Sequence, residues 1–175
     1  MPVSLGLADL MDYTHWEREK FHEWLIQRGD AVLKTSAGAN SDRFATVGDI
    51  IKHIFSAEKR YVDRLSARPL SDPVGVPSDS IEALFEFGRQ SRNDLRHFVE
   101  SFPPSEWDVL KEFDFFGGTL RATPRKIISH VLLHETRHWA QISTLFRVNG
   151  LTGEFHDFLF SPVLGGEFLR SKSAP

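Results

Sequence analysis

Apolar residues recur along this chain at the spacing of a helix rather than a strand. Between about Leu5 and Lys34, the residues Leu7, Leu10, Met11, Thr14, Phe21, Leu25 and Val32 fall on one stripe when each step turns about 100°. That predicts a long amphipathic first helix, followed by a turn-rich Ser36 to Ser41. Thr46-Val47-Gly48-Asp49 offers an N-cap with an acid in the first turn, and Val47, Ile50, Ile51, Ile54, Ala57, Tyr61 and Leu65 make the apolar face of a second helix running to about Ala67. The stretch Pro69 to Pro77 cannot continue it.

Ser78 or Asp79 is then positioned to cap a third helix, with Ile81, Leu84, Phe85, Gly88, Leu95, Phe98 and Val99 inward and a stop before Pro103-Pro104. The periodicity fails between Val109 and Ala122, where Phe113, Phe115 and Phe116 lead into Gly117-Gly118, so a small hairpin or irregular loop is expected. Thr123-Pro124 supplies a cap followed by proline at the first helical position, and Asn149-Gly150 supplies a left-handed stop, bracketing a fourth helix of about 25 residues. The tail carries Phe155, Phe158, Phe160, Gly165-Gly166 and Phe168, and is expected to pack on the body or a second subunit before fraying near Ser171. The sum is an all-α, four-helix bundle in a single domain over residues 1–175, its core at about 5–150 and its tail at 151–175.

Composition narrows what such a domain can do. The 21 Lys and Arg against 24 Asp and Glu give a net charge of −3, which leaves no cationic excess for a phosphate backbone, so nucleic acid is not an expected partner. There are no cysteines, so a metal must sit on His, Asp or Glu. No Lys or Arg precedes Arg18 and no run approaches the roughly 20 apolar residues of a membrane span, so the chain is expected to be soluble and cytoplasmic.

The fourth helix carries the chemistry. His130, His134 and His138 stand four apart, and each step of four advances about 6 Å and turns about 40°, so either neighbouring pair can share an ion while the outer two, about 12 Å apart, cannot. On a wheel with Ile127 at zero, His134 and His138 fall at about −20° and 20°, at the edge of the apolar arc, and His130 near −60°. The pair His134 and His138 therefore faces inward best. Glu135, near 80°, lies within the apolar arc, where a bare carboxylate is costly and needs a cation such as Arg18 or a role in the site.

His134-Glu135-Thr136-Arg137-His138 also spells the H-E-x-x-H pattern of zinc hydrolases, with Glu135 as a catalytic base. The longer metzincin form fails at Gln141 and Thr144, and the downstream acids Glu154 and Glu167 sit in a poorly helical tail. A third ligand must come from another helix, with His15, His22, His53, His97 and His156 available. His53 leads by its place between Ile50 and Ala57, without excluding the others.

The segment Ile51-Lys52-His53-Ile54-Phe55-Ser56-Ala57-Glu58-Lys59-Arg60-Tyr61 and the segment from His130 to Ile142 resemble the two signatures of the DinB/YfiT-like family, in order and on the expected helices, within an overall likeness over roughly residues 5–150. Trp139-Ala140-Gln141 stands where many relatives have Arg-Gly-Gln. The resemblance implies His53, His134 and His138 as ligands of a divalent transition metal, nickel or zinc first, with iron, cobalt, manganese or copper as alternatives. It also implies a homodimer and leaves His130, Glu58 and Arg18 as residues around the metal or substrate. The activity it suggests is a metal-dependent transfer of a small-molecule thiol onto an electrophile, in stress response or detoxification. A metal-binding stress protein without turnover, and a zinc hydrolase, are the alternatives.

Overall fold

The structure is a computed structural model that describes residues 4–38, 43–115, 117–153 and 156–165. It contains four α-helices, α1 (Leu7–Arg28), α2 (Val47–Leu65), α3 (Ile81–Ser101) and α4 (Pro124–Val148), with an antiparallel hairpin, β1 (Lys111–Phe115) and β2 (Gly118–Ala122), between the last two. The hairpin register pairs Lys111 with Ala122 and Phe113 with Leu120. The part of the tail holding Phe155, Gly166, Phe168 and Ser171 lies outside the described residues.

Local signals set most helix ends. Thr46 and Asp49 form a reciprocal cap on α2, the Thr46 hydroxyl accepting from Asp49 N and the Asp49 carboxylate accepting from Thr46 N at 3.0 Å. Thr123 caps α4 by accepting from Lys126 N at 3.2 Å, and Gly150 takes φ 76° after the last turn. Two expectations fail. The first helix stops at Arg28 rather than Lys34, because Gly29 adopts φ 75°, and Asp30–Lys34 follow as a short 3-10 turn. That break lets the Asp30 carboxylate accept from Ile81 N at 2.9 Å, joining two distant helix ends. The cap of α3 is Ser80, whose hydroxyl accepts from Ala83 N, and not Ser78 or Asp79.

α2 lies against both α3 and α4, and α1 against α4 and, less extensively, α3. The interior divides into two apolar clusters. One holds Phe21, Ile54, Phe55, Leu84, Phe85 and Trp139, and the other holds Met11, Val62, Leu95, Phe98 and Leu132. Between them lies a layer of buried charge that includes Arg18 on α1, Glu58 on α2, Arg92 on α3 and Glu135 on α4, each 1–2% exposed. Four buried ions cost several kcal/mol each in desolvation unless every donor and acceptor is paired. Here they are, which ties the registers of all four helices together.

Candidate metal centre

Glu135 is the hub of that layer. Its carboxylate accepts from Arg18 Nε at 2.9 Å, Arg18 Nη2 at 3.0 Å and Trp139 Nε1 at 3.1 Å, and also from Arg92 Nη2. Glu58 accepts from Arg92 Nε at 3.0 Å and from Arg18 Nη2 at 3.3 Å, while Arg18 Nη1 donates to the Gly88 carbonyl at 2.8 Å. Burial pushes the Glu135 carboxyl up, and the charges of Arg18 and Arg92 outweigh it and hold it below the usual carboxylate range. The cation sought for Glu135 on α1 is thus Arg18. Arg92 escaped sequence reasoning although it sits on the inward stripe of α3, one turn after Gly88, where a charged residue is itself a signal.

The histidines lie on the neighbouring face. His134 Nε2 stands 3.0 Å from His53 Nε2 and 3.1 Å from His138 Nε2, so α2 and α4 bring three imidazole nitrogens to one point. Among the described residues, this is the one group of three potential ligands whose donor atoms lie within 4.8 Å of one another. Hydrogen bonding among the rings cannot account for the arrangement. A single imidazole nitrogen carries either one proton or one lone pair, so His134 Nε2 can bond to one of its two neighbours and not both. A cation accepting all three lone pairs removes the conflict, and two nitrogens about 2.0–2.1 Å from one ion stand about 3 Å apart.

The protonation states suit ligands. Burial, followed by the charge of Arg43 and the other two rings, pulls His53 down to about 3. Burial and His138 pull His134 down to about 4. Burial lowers His138 as well, against a smaller opposing effect from Gln141. All three are neutral at pH 7, the form a metal requires. Gln141 Oε1 lies 2.8 Å from His138 Nδ1 and accepts a hydrogen bond from its N–H, which leaves the Nε2 lone pair pointing at the cluster. Arg43 Nη2 lies 3.4 Å from His53 Nδ1, too long a contact to fix that ring's tautomer.

A cavity of about 500 Å³ opens beside His53 and His134, with Tyr61, Phe115 and His130 on its wall. His130 is exposed and its ring centre lies 5.7 Å from that of His134, outside the cluster. Neither Glu135, Glu58 nor Arg18 lines this cavity. The remaining histidines go elsewhere. His22 stacks on Phe85 at 4.2 Å, and His156 lies between Glu17 and Ser143. In that chain His156 Nδ1 is 2.7 Å from Glu17 Oε1 and its Nε2 is 2.8 Å from Ser143 Oγ. Ser143 is inside α4, where backbone N–H groups are spent on the helix, so the chain has the form of a tether for the tail.

Helices, a hairpin and three convergent neutral imidazoles define a helical protein with a site compatible with metal binding. The chain belongs to the DinB family, whose family model matches residues 1–164. A comparison with curated proteins finds no match. No helix among the described residues is long and apolar enough to cross a membrane.

Proposed function

We propose that His53, His134 and His138 hold one divalent transition metal, nickel or zinc foremost, and that the adjoining cavity carries the transfer of a low-molecular-weight thiol onto an electrophile. The observation that carries the reading is His134 Nε2 with an imidazole nitrogen on either side, at 3.0 and 3.1 Å, a contact set that neutral rings cannot satisfy among themselves. A divalent ion there would supply Lewis acidity and stabilise the thiolate form of a thiol bound beside it.

The chain's own residues divide the remaining work. Gln141 orients His138 through its Nδ1 proton. His130, on the cavity wall, would accept the thiol proton on a ring nitrogen as the S–H bond breaks; the sulfur then bonds to carbon of an epoxide or activated alkene, whose C–O or C=C π electron pair shifts onto oxygen or carbon and takes that proton back. Arg18, Glu58, Arg92 and Glu135 hold α4 from behind. The zinc-hydrolase alternative has less support, because Glu135 already accepts hydrogen bonds from two arginines and Trp139 and has no lone pair directed at the histidines. We further propose that the chain is one domain built as a four-helix bundle, acting as a cytoplasmic homodimer.

Elemental analysis of the purified protein tests the site: nickel or zinc near one equivalent per chain, falling sharply in His53→Ala, His134→Ala and His138→Ala, is expected. Undiminished metal in all three overturns it. Conjugation of small thiols to a generic electrophile, lost in His134→Ala, tests the activity. Retained metal with no conjugation by any thiol would leave a metal-binding protein without turnover.

A further inference from the structure

The cavity has an electrostatic character that the three histidines do not explain. Arg43, Arg60, Arg64 and Lys126 all line it, and among the described residues no Asp or Glu does. The chain as a whole carries −3, and many of its cations are spent in ion pairs, such as Lys59 with Asp63, Arg89 with Glu86 and Arg125 with Asp108. Among the described residues, none of the four cavity cations forms a salt bridge. Four like charges around one hollow repel each other, and only an anionic guest turns that repulsion into attraction.

The cations are arranged in rows. Arg60 and Arg64 lie one turn apart on α2, on the face that continues from His53 through Ala57. Lys126 begins the four-residue row on α4 that continues through His130 to His134 and His138. The two rows converge at the histidines and carry their positive ends away from them. The Arg64 guanidinium stands over the Phe115 ring at 5.2 Å and the Tyr61 ring at 5.8 Å, which holds it in place on the cavity wall. The rest of the wall includes Ala57, Leu120, Ala122 and Ile127, an apolar lining for a carbon body.

We infer that this cavity binds a small organic dianion, with its two carboxylates or its phosphate monoester against Arg60, Arg64 and Lys126, its apolar body against Tyr61 and Phe115, and its other end at His53 and His134. A volume of about 500 Å³ suits a molecule of that kind. A monoanion would leave most of the positive charge uncompensated. The inference names the substrate class for the site proposed above and rests on that proposal only for which end of the molecule reacts; the anion-binding half stands on the cations alone.

Calorimetric titration of the full-length chain with phenyl phosphate, with benzylmalonate and with the neutral benzylmalonamide tests it. Saturable binding of at least one dianion, about tenfold or more tighter than the diamide and weakened by added salt, is expected. Tighter binding of phenyl phosphate assigns a phosphate monoester, and tighter binding of benzylmalonate assigns a dicarboxylate. Arg64→Gln and Lys126→Gln should each weaken the dianion about fivefold or more, whereas Lys52→Gln, a cation of α2 outside the cavity lining, should not. His134→Ala should keep dianion binding even where it abolishes metal, so loss of the metal proposal would leave this one standing. Equal binding of diamide and dianions, or dianion affinity unchanged in an Arg64→Gln, Lys126→Gln double variant that keeps its circular dichroism spectrum, overturns it.

Discussion

Arg18 Nε donates to Glu135 Oε1 at 2.9 Å, with both side chains 2% exposed, and this contact joins the first helix to the last through the middle of the protein. Glu135→Gln keeps the shape and removes the charge, leaving Arg18 and Arg92 with one carboxylate, Glu58, between them. The expected cost is about 3–5 kcal/mol of unfolding free energy, read from urea denaturation. If metal content per folded chain is unchanged in the same variant, Glu135 acts by positioning α4; metal lost from protein that remains folded would assign it to the site itself.

Gln141 Oε1 accepts a hydrogen bond from His138 Nδ1 at 2.8 Å and forms no hydrogen bond with His53 or His134. Replacing Gln141 with Leu should leave the fold intact and weaken metal retention by about 10–100-fold, the usual effect of losing an outer partner of a ligating histidine. Competition with a chromogenic chelator measures it, and unaltered retention would count against the assigned tautomer.

Gly48 lies in the first turn of α2, where the Ser78 carbonyl oxygen occupies the space a Cβ would fill. Backbone on both sides leaves no flexible side chain to yield. Gly48→Ala should therefore destabilise by about 1–3 kcal/mol or more and lower the melting temperature, whereas alanine at the exposed Gly75, with nothing within 4 Å of its added Cβ, should have little effect.

Asp63 is 1% exposed and accepts from Lys59 Nζ at 2.8 Å, Ser71 N at 3.0 Å and Ser71 Oγ at 2.8 Å. Burial pushes its carboxyl up, but those donors together outweigh burial and hold it below the ordinary range. A folded value below the unfolded one, about 3.9, means that its stabilisation is complete above pH 4 or so and is lost as pH falls through the folded value. Stability measured from pH 7 to pH 2 should fall in acid, and Asp63→Asn, less stable at neutral pH, should lose less over the acid limb. Parallel curves for the two proteins would remove Asp63 from the acid response.

Much of this was legible in the residues because the signals are local. Thr123-Pro124 and Asn149-Gly150 bracket α4 at the expected places, since caps and proline act on backbone groups within one turn. The expected extension of α1 to Lys34 failed because Val32 keeps the apolar period across a break. Only the left-handed Gly29 and the demand of Ile81 N for the Asp30 carboxylate reveal that break. The wheel that put Glu135 inward and His134 with His138 at its edge agrees with the observed burial, since rotation per residue is a property of the helix alone.

By itself, then, the sequence determined four helices, the row of histidines on the last of them, and a buried carboxylate in need of a cation. Family resemblance singled out His53, and only the tertiary structure brought its nitrogen to 3.0 Å from His134. Likewise, Arg92 joined the buried layer, and four cations that form no salt bridge among the described residues came to share one cavity, only through packing. The division follows from range. Periodicity and capping are set by backbone geometry over a few residues, whereas convergence of side chains from different helices depends on their relative rotation and register. Here, two apolar clusters and the ionic layer between them set those quantities.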